Sequence, residues 1–277
     1  MARAELGVWR PLRRSLATLW RIRVPLSGRP GQPRNRPVMA IPFLSVDRPA
    51  TGQIDLWFWT SGTLSTLPLE RPDWLSASER IRIQCLPQAK RESAVRMRCA
   101  VRAALAAYRG GLPRDLDFSY GQHGKPQVNG EPKLHFSVTH TRGCALLAVS
   151  LRGSVGVDVE PVRLPARDEL AKAMLGARAW RQYQALDDVS RGQAFARAWT
   201  EREALVKAMG LGIAHGWSPC LVWFAELPLQ VCAPGPSQVA GWTLASVPVD
   251  APWVATVCTA QPAGQVRQRS WLATDLS

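Results

Sequence analysis

The sequence lacks the features of a membrane or secreted protein. No apolar run reaches the roughly 18–20 residues that a membrane-spanning helix needs, and there is no secretory signal with an apolar stretch of about 7–15 residues. The six cysteines form no CxxC pair and have no regular spacing, which argues against a zinc site and against a disulfide scaffold. We therefore expect a soluble, cytoplasmic protein without membrane contacts.

Acidic residues are also scarce, and the imbalance is uneven along the chain. The 277 residues include 35 Lys and Arg against 21 Asp and Glu, a formal net charge of +14. Residues 1–50 alone contain ten arginines, two acidic residues and seven prolines without sustained periodicity. This composition predicts a disordered arm over residues 1–50, or a wrongly assigned start with Met39 as the true first residue, so that residues 1–38 would be dispensable.

Beyond the arm, the pattern of strands and helices predicts an α+β fold. Predicted strands lie at residues 54–59, 133–139, 145–151, 155–159, 220–224, 242–247 and 253–259. A capping box at Ser76–Glu79 predicts the start of one helix. Three further helices are predicted over residues 88–108, 166–186 and 192–209. Because the order is not a regular βαβ alternation, it favours α+β over a parallel α/β sheet.

Two acidic residues share one face of the strand at 155–159. The strand period of two places Asp158 and Glu160 on one face and Val157 and Val159 on the other. Neighbouring carboxylates repel and raise each other's pKa unless a cation lies between them, and all-oxygen ligands suit Mg²⁺ or Mn²⁺. The pair predicts a metal site, with an acidic solvent-facing strand as the alternative.

The predicted helix at 192–209 carries a polar stripe beside its apolar one. Trp199, Glu203 and Lys207 recur at i, i+4 and i+8, next to a stripe of apolar residues that includes Phe195 and Leu205. Considered alone, this spacing is explained by an ordinary Glu–Lys ion pair worth about 0.2–0.5 kcal/mol.

A hydroxyl and an imidazole stand together where the strand at 133–139 ends. Phe136 and Val138 face one way, so Ser137 and Thr139 face the other, and His140 follows directly. The hydroxyl can donate to a phosphate, and the imidazole can bind one when it is protonated. A structural histidine is the alternative.

Four arginines lie along one line of the predicted helix at 88–108. Arg91, Arg98, Arg102 and Arg109 are spaced 7, 4 and 7 residues apart, which places each of them within about 20° of one line, with Lys90 beside the start of that line. This stripe predicts either a solvated helix face or a docking strip for phosphates or an acidic partner.

The order of these motifs resembles one known family. Gly124-Lys125-Pro126, Phe136–His140, Gly156–Glu160 and Trp199–Lys207 occur in the order and spacing of the 4′-phosphopantetheinyl transferase superfamily. Within it the sequence is most similar to the Sfp-type enzymes, which activate carrier domains of polyketide, peptide or fatty-acid synthases. The resemblance covers roughly residues 54–260 and leaves the basic arm outside.

The resemblance implies a fold and a reaction. The fold would be two similar α+β halves related by a pseudo-twofold axis, with coenzyme A and Mg²⁺ in the cleft between residues 51–152 and residues 153–277. The reaction would move 4′-phosphopantetheine from coenzyme A to a serine of an acyl or peptidyl carrier protein and release 3′,5′-ADP. We expect a monomer that binds no nucleic acid. A metal-dependent phosphoesterase and a basic nucleic-acid-binding module remain the alternatives.

The resemblance also implies roles for individual residues. The metal-binding acids would be Asp158, Glu160 and Glu203, and the last of these, or a water that it orients, would be the base. Contacts to the coenzyme A phosphates would come from Lys125, Thr139 and His140, with Lys207 at the pyrophosphate and Arg82, Lys90 and Arg91 in the region of the 3′-phosphate. Lys207 and His140 would stabilise the charge that develops during transfer. Two positions depart from the family pattern: Arg202 stands where lysine is usual, and Thr139 where serine is common.

Overall fold

A computed structural model describes residues 46–47, 49, 53–67, 69–130, 133–211, 237–239, 241–260 and 266–269. Nearly all of the predicted basic arm, including Met39, and the predicted strand at 220–224 lie outside these residues. Within them, no helix is both long enough and apolar enough to cross a membrane.

Ten strands and six α-helices make up the described chain, together with two short 3₁₀ helices. The strands are β1 (Ile54–Thr60), β2 (Phe118–Tyr120), β3 (Pro126–Val128), β4 (His135–Thr141), β5 (Cys144–Ser150), β6 (Val155–Pro161), β7 (Ser237–Val239), β8 (Trp242–Val247), β9 (Trp253–Thr259) and β10 (Val266–Arg269). The helices are α1 (Ser61–Thr66), α2 (Ala77–Gln84), α3 (Gln88–Arg109), α4 (Asp168–Met174), α5 (Ala177–Gln184) and α6 (Asp188–Met209). The predicted α+β class is confirmed.

The strands form two four-stranded sheets and one small pair. The first sheet has the order β10-β1-β5-β4, in which β10 runs parallel to β1 and the other neighbours are antiparallel. The second sheet has the order β6-β9-β8-β7 and is antiparallel throughout. The sequence-adjacent strands β5 and β6 therefore belong to different sheets, and the turn between them carries the chain from one sheet to the other.

Local signals explain where the helices begin and end. The predicted capping box is present, because Ser76 N donates to Glu79 Oε2 at 2.9 Å and Glu79 N donates to Ser76 Oγ at 3.2 Å. Helix α3 ends at Gly110 and α6 ends at Gly210, both in the left-handed conformation that glycine adopts readily.

Two predicted helix boundaries were wrong. The helix expected over 166–186 is two helices, α4 and α5, because the chain is extended at Leu175 and Gly176. Helix α6 begins at Asp188, four residues before the predicted start, because the side chain of Asp187 accepts a hydrogen bond from Ser190 N and caps it there.

The first sheet lies between helix α3 and the second sheet. One of its faces, with Trp57 and Leu147, packs against α3, and the other, with Leu56 and Leu146, packs against Val157 of β6. The two sheets also meet at β4 and β6, where Val157 N donates to Ser137 Oγ at 3.2 Å. The edges that carry the predicted site residues are thereby brought together, while the pseudo-twofold relation and the boundary at residue 152 stay predictions.

Candidate active site

Gly156 allows helix α6 to lie directly on strand β6. A Cβ atom at this position would stand 1.9 Å from the carbonyl oxygen of Ala204 and 2.4 Å from the amide nitrogen of Ala208, closer than real side chains approach backbone. Only glycine fits such a contact. The face of β6 that carries Asp158 and Glu160 is therefore pressed against α6, with Lys207 at its edge.

Asp158 lies at the centre of a buried hydrogen-bond network between β4, β6 and α6. The residue is fully buried, and its Oδ1 accepts hydrogen bonds from Lys207 Nζ at 2.6 Å and from Thr139 Oγ1 at 2.8 Å. Lys207 Nζ also donates to Thr139 Oγ1 at 3.0 Å, which closes the triangle. The ion pair of Lys207 thus reaches across the interface to another element, which helical spacing alone did not predict.

The surrounding carboxylates fit a divalent cation. Asp158 Oδ2 is buried without a hydrogen-bond partner among the described residues, and both carboxylate oxygens of Glu203 are buried as well. Burial and the charge of Asp158 raise the pKa of Glu160 to about 7. Carboxylate oxygens are the donors that Mg²⁺ prefers, although no preformed cluster of three metal-ligating side chains occurs in the described part of the chain.

His140 is half-buried at the end of β4 and is surrounded by cations. Burial, together with the positive charges of Lys207, Arg98 and Lys90, lowers the pKa of His140 to about 4. The imidazole is therefore neutral at pH 7. A phosphate placed among these cations would favour the protonated imidazole, which is the form predicted above to bind phosphate.

Arg82 presents unsatisfied hydrogen-bond donors to the same region. Its side chain is buried, yet Nε and Nη1 have no hydrogen-bond partner among the described residues. The guanidinium carbon of Arg82 lies 4.4 Å from the centre of the Tyr120 ring. Burial lowers the pKa of the neighbouring Arg98, and the positive charge of Arg82 lowers it further. Buried arginine nitrogens without partners suit an anionic ligand.

Lys125, in the turn between β2 and β3, joins that strand pair to the start of β6 and the end of α6. Its Nζ donates to Ser154 Oγ at 2.9 Å and to the carbonyl oxygens of Val155 and Ala208 at 3.0 Å each. Burial lowers its pKa to about 8. The three ammonium hydrogens are thus used within the protein, so a direct contact of this lysine with a phosphate stays a prediction that would require one of these bonds to break.

Lys90 and Arg91 are exposed at the first turn of α3. Arg91 Nε donates to the carbonyl oxygen of Leu86 at 2.9 Å, while Lys90 is one of the cations that depress the pKa of His140. Both can reach a ligand from solvent, and their predicted contact with a 3′-phosphate stays a prediction.

The arginine stripe on α3 is not a docking strip along its length. Arg98 and Arg102 are each 1% exposed and bind the buried Glu79, at 3.3 Å and 2.7 Å. Arg102 also donates to the carbonyl oxygens of Pro113 and Leu116. Helical periodicity correctly placed these arginines on one line, but it does not tell whether that line faces solvent or the interior.

Two roles were missed by the sequence analysis. Glu79 was identified only as a capping residue, yet the same carboxylate neutralises two buried arginines. The sequence pattern gives no sign of the role of Tyr120, whose ring lies under the guanidinium of Arg82. Arg202, which departs from the family pattern, is buried and donates to the carbonyl oxygen of Ala198 in its own helix at 2.8 Å.

Comparisons with known proteins agree with this geometry. A sequence model of the 4′-phosphopantetheinyl transferase superfamily matches residues 154–256, which include β6 and α6. The 4′-phosphopantetheinyl transferase HetI of Nostoc sp. is 30% identical over 166 residues, 58% of this chain and 67% of HetI.

Two other relatives align over shorter parts. A Synechocystis sp. protein provisionally named as a 4′-phosphopantetheinyl transferase is 30% identical over 157 residues, 55% of this chain and 63% of its own length. A Bacillus subtilis 4′-phosphopantetheinyl transferase is 26% identical over 114 residues, 41% of this chain and 50% of its own length. The alignments thus span between half and two thirds of these relatives. With the network at Asp158 and the helix contact at Gly156, they show that the chain belongs to the 4′-phosphopantetheinyl transferase superfamily.

Proposed function

We propose that this protein transfers 4′-phosphopantetheine from coenzyme A to a serine hydroxyl of an acyl or peptidyl carrier domain, as an Sfp-type enzyme. The observation that carries the proposal is the network in which Asp158, Thr139 and Lys207 meet from three different elements. An interface that holds both acidic and cationic side chains suits a ligand with several phosphates and a metal. The choice of 4′-phosphopantetheine as the transferred group rests on the names of the relatives.

Asp158, Glu160 and Glu203 would hold Mg²⁺. A divalent cation bound there would neutralise negative charge on the pyrophosphate of coenzyme A. The raised pKa of Glu160 supports this assignment, because a carboxyl group that resists ionisation beside Asp158 would ionise fully once a cation balanced the pair.

Six other side chains would bind the phosphates or line the rim of their site. Lys207 and Thr139 lie beside the acids and would contact the pyrophosphate, and His140 would join them when the phosphate charge favours its protonated form. The partnerless nitrogens of Arg82 would take the 3′-phosphate, with Lys90 and Arg91 at the exposed rim. Lys125 would act indirectly, because it fastens the start of β6 to the end of α6.

The transfer step would form one bond and break one bond. The carrier serine oxygen attacks the β-phosphorus, the bond from that phosphorus to the bridging oxygen breaks, and 3′,5′-ADP leaves with the electron pair. The serine proton passes to Glu203 or to a water that Glu203 orients. Lys207 and His140 stabilise the negative charge that develops on the leaving phosphate oxygens.

The carrier domain would approach over the end of β6 where Glu160 lies. Leu164 is 58% exposed there, between Arg163 and Arg167, whose charges act on Glu160. Leu164 packs close to helix α6, because a Cβ added at Gly192 of that helix would stand 3.1 Å from Leu164 Cδ2. The exposed Val189 lies one turn before Gly192 on the same helix. An apolar pair beside two exposed arginines suits an acidic partner with an apolar residue near its modified serine.

The deciding experiment incubates the protein with coenzyme A, Mg²⁺ and an apo carrier protein, and follows the carrier by intact mass. We expect an increase of one phosphopantetheine, and we expect Asp158→Asn to slow transfer by about 10²-fold or more. Asp115→Asn, an exposed acid in the short 3₁₀ helix that follows α3, is the control and should keep the wild-type rate. Hydrolysis of coenzyme A without a change in carrier mass would favour the phosphoesterase, and inactivity toward every carrier would contradict the proposal.

A second experiment tests the carrier surface. Arg163→Glu with Arg167→Glu should raise KM for the carrier by about 10-fold and leave KM for coenzyme A nearly unchanged. Arg152→Glu is the matched charge reversal, because this exposed arginine precedes the opposite end of β6. Equal carrier KM values for both changes would place the docking surface elsewhere.

A further inference from the structure

Lys207 binds the carboxylate of Asp158 from the open side of the site. The two charged groups are 2.6 Å apart, and the Asp158 side chain is completely buried whereas the Lys207 side chain is 23% exposed. Lys207 is also near the end of α6, two residues before the helix terminates. The lysine can therefore turn toward a ligand at the surface of the site, while the buried aspartate cannot follow it.

We infer that Lys207 is a resident counter-ion of Asp158 that a divalent cation must displace, so that cation binding and diphosphate binding are coupled through this lysine. The inference rests on the proposed function, since it takes Asp158 as a metal ligand. It adds an order of events: the metal binds weakly to the protein alone and tightly once a diphosphate has drawn Lys207 away.

The electrostatics of the network require this competition. Asp158 Oδ1 already accepts hydrogen bonds from Lys207 and Thr139, and only Oδ2 remains without a partner among the described residues. An ammonium and a divalent cation on the two oxygens of one buried carboxylate repel each other strongly, because the protein interior screens charges poorly. Other cations act on the same region, since Arg98 and Lys90 influence His140 together with Lys207.

A diphosphate ligand removes the conflict. Its negative charge offers Lys207 a second anion, and the withdrawal of the lysine leaves Asp158 Oδ1 for the metal. Since coupling between two ligands is reciprocal, the metal must then raise the affinity for the diphosphate by the same factor. Thr139 can remain in place, because its hydroxyl donates to Asp158 whether or not it also accepts from Lys207.

Calorimetric titration with Mn²⁺ alone, on the full chain without coenzyme A, tests the inference. We expect Lys207→Met to bind Mn²⁺ at least 10-fold more tightly than the wild type. Lys172→Met removes one positive charge from the exposed face of α4 and should stay within about twofold of the wild type. In a second titration with coenzyme A present, Mn²⁺ affinity should rise by a larger factor in the wild type than in Lys207→Met.

The outcomes separate the inference from the proposed function. Equal Mn²⁺ affinity of Lys207→Met and wild type, with binding that Asp158→Asn abolishes, would overturn the counter-ion role and leave the metal site intact. No Mn²⁺ binding by any variant, with or without coenzyme A, would overturn both. Melting temperatures of Lys207→Met and Lys207→Gln are measured beside the titrations. A fall in melting temperature with unchanged Mn²⁺ affinity would mean that the ion pair is purely structural and would overturn the inference.

Discussion

Asp158 sets the chemistry of the residues around it because its charge is completely buried. A buried carboxylate must be balanced, and here Lys207 and Thr139 supply that balance across two element boundaries. Burial and this charge raise the pKa of Glu160, and Lys207, held by the same charge, adds to the burial that lowers the pKa of His140. A substitution at Asp158 therefore changes stability as well as activity, and asparagine is a better probe than alanine because it keeps the hydrogen-bonding shape.

His140 should make the protein less stable in mild acid. Its folded-state pKa of about 4 is below the ordinary 6.5, so the unfolded chain takes up a proton over this range while the folded protein does not. The contribution of His140 to stability is complete above about pH 6.5 and is lost as the pH falls toward 4. Between pH 7 and pH 5 the loss should be about 1–2 kcal/mol, since the ring is only half-buried.

Denaturant unfolding at these two pH values checks this expectation. His140→Gln should lose less stability between pH 7 and pH 5 than the wild type, and NMR titration of Lys207→Met should show a higher pKa for His140 than in the wild type. A wild-type imidazole that titrates near 6.5 would contradict it.

Gly156 should tolerate no side chain. A Cβ atom there would overlap the carbonyl oxygen of Ala204, so Gly156→Ala must push α6 away from β6 and move Lys207 away from Asp158. We expect a loss of about 3 kcal/mol or more in unfolding free energy. Gly153→Ala is the matched control, because nothing lies within 4 Å of the Cβ it would add, and its stability should stay within about 0.5 kcal/mol of the wild type.

At the scale of elements, helix α3 shows how a charged face can become internal. The capping box at the start of α2 holds Glu79 in place, and this carboxylate lies where Arg98 and Arg102 of α3 can both reach it. Arginine can span such a distance with several donors, and its remaining hydrogens bond the carbonyl oxygens of Pro113 and Leu116. The ion pairs therefore join α2, α3 and the short 3₁₀ helix at Pro113–Asp115.

Loss of Arg102 should destabilise the protein strongly. Arg102→Ala leaves Glu79 buried with only part of its positive partners, and we expect a cost of about 3–5 kcal/mol. Lys90→Ala removes a positive charge from the exposed first turn of the same helix and should cost less than about 0.5 kcal/mol. Urea unfolding measures both, and similar values for the two variants would show that the buried ion pairs contribute little.

Periodicity predicted which residues share a face, and it could not predict what the face touches. The acids of β6 and the polar stripe of α6 were found because each follows the period of its element. The target of Lys207 was not, since Asp158 is 49 residues away and the contact depends on how α6 lies on β6. The break at Leu175 was also missed, because a single glycine inside a helical pattern is tolerated in many helices and does not by itself mark an end.

At the scale of the whole molecule, the candidate site depends on how two sheets are held together. The apolar interface around Leu56 and Val157 aligns them, and β4 meets β6 at the site itself. A third connection is made by β10, which follows β9 of the second sheet in sequence and pairs in parallel with β1 of the first. The last described strand therefore returns to the first described strand.

The return of β10 is secured by a buried charge on β1. Asp55 is completely buried and accepts from Arg267 Nε at 2.7 Å, from Arg269 Nε at 3.1 Å and from the Tyr108 hydroxyl at 2.8 Å. Arg267→Gln with Arg269→Gln leaves that carboxylate short of positive partners, and we expect a loss of about 2–3 kcal/mol in unfolding free energy, since both arginines are partly exposed. Adding Asp55→Asn removes the unbalanced charge and should recover part of the loss, because replacing both partners costs less than removing one. Denaturant unfolding of the single, double and triple variants measures the coupling. If the penalties simply add, the charge of Asp55 does not hold β10, and the backbone pairing with β1 must hold it instead.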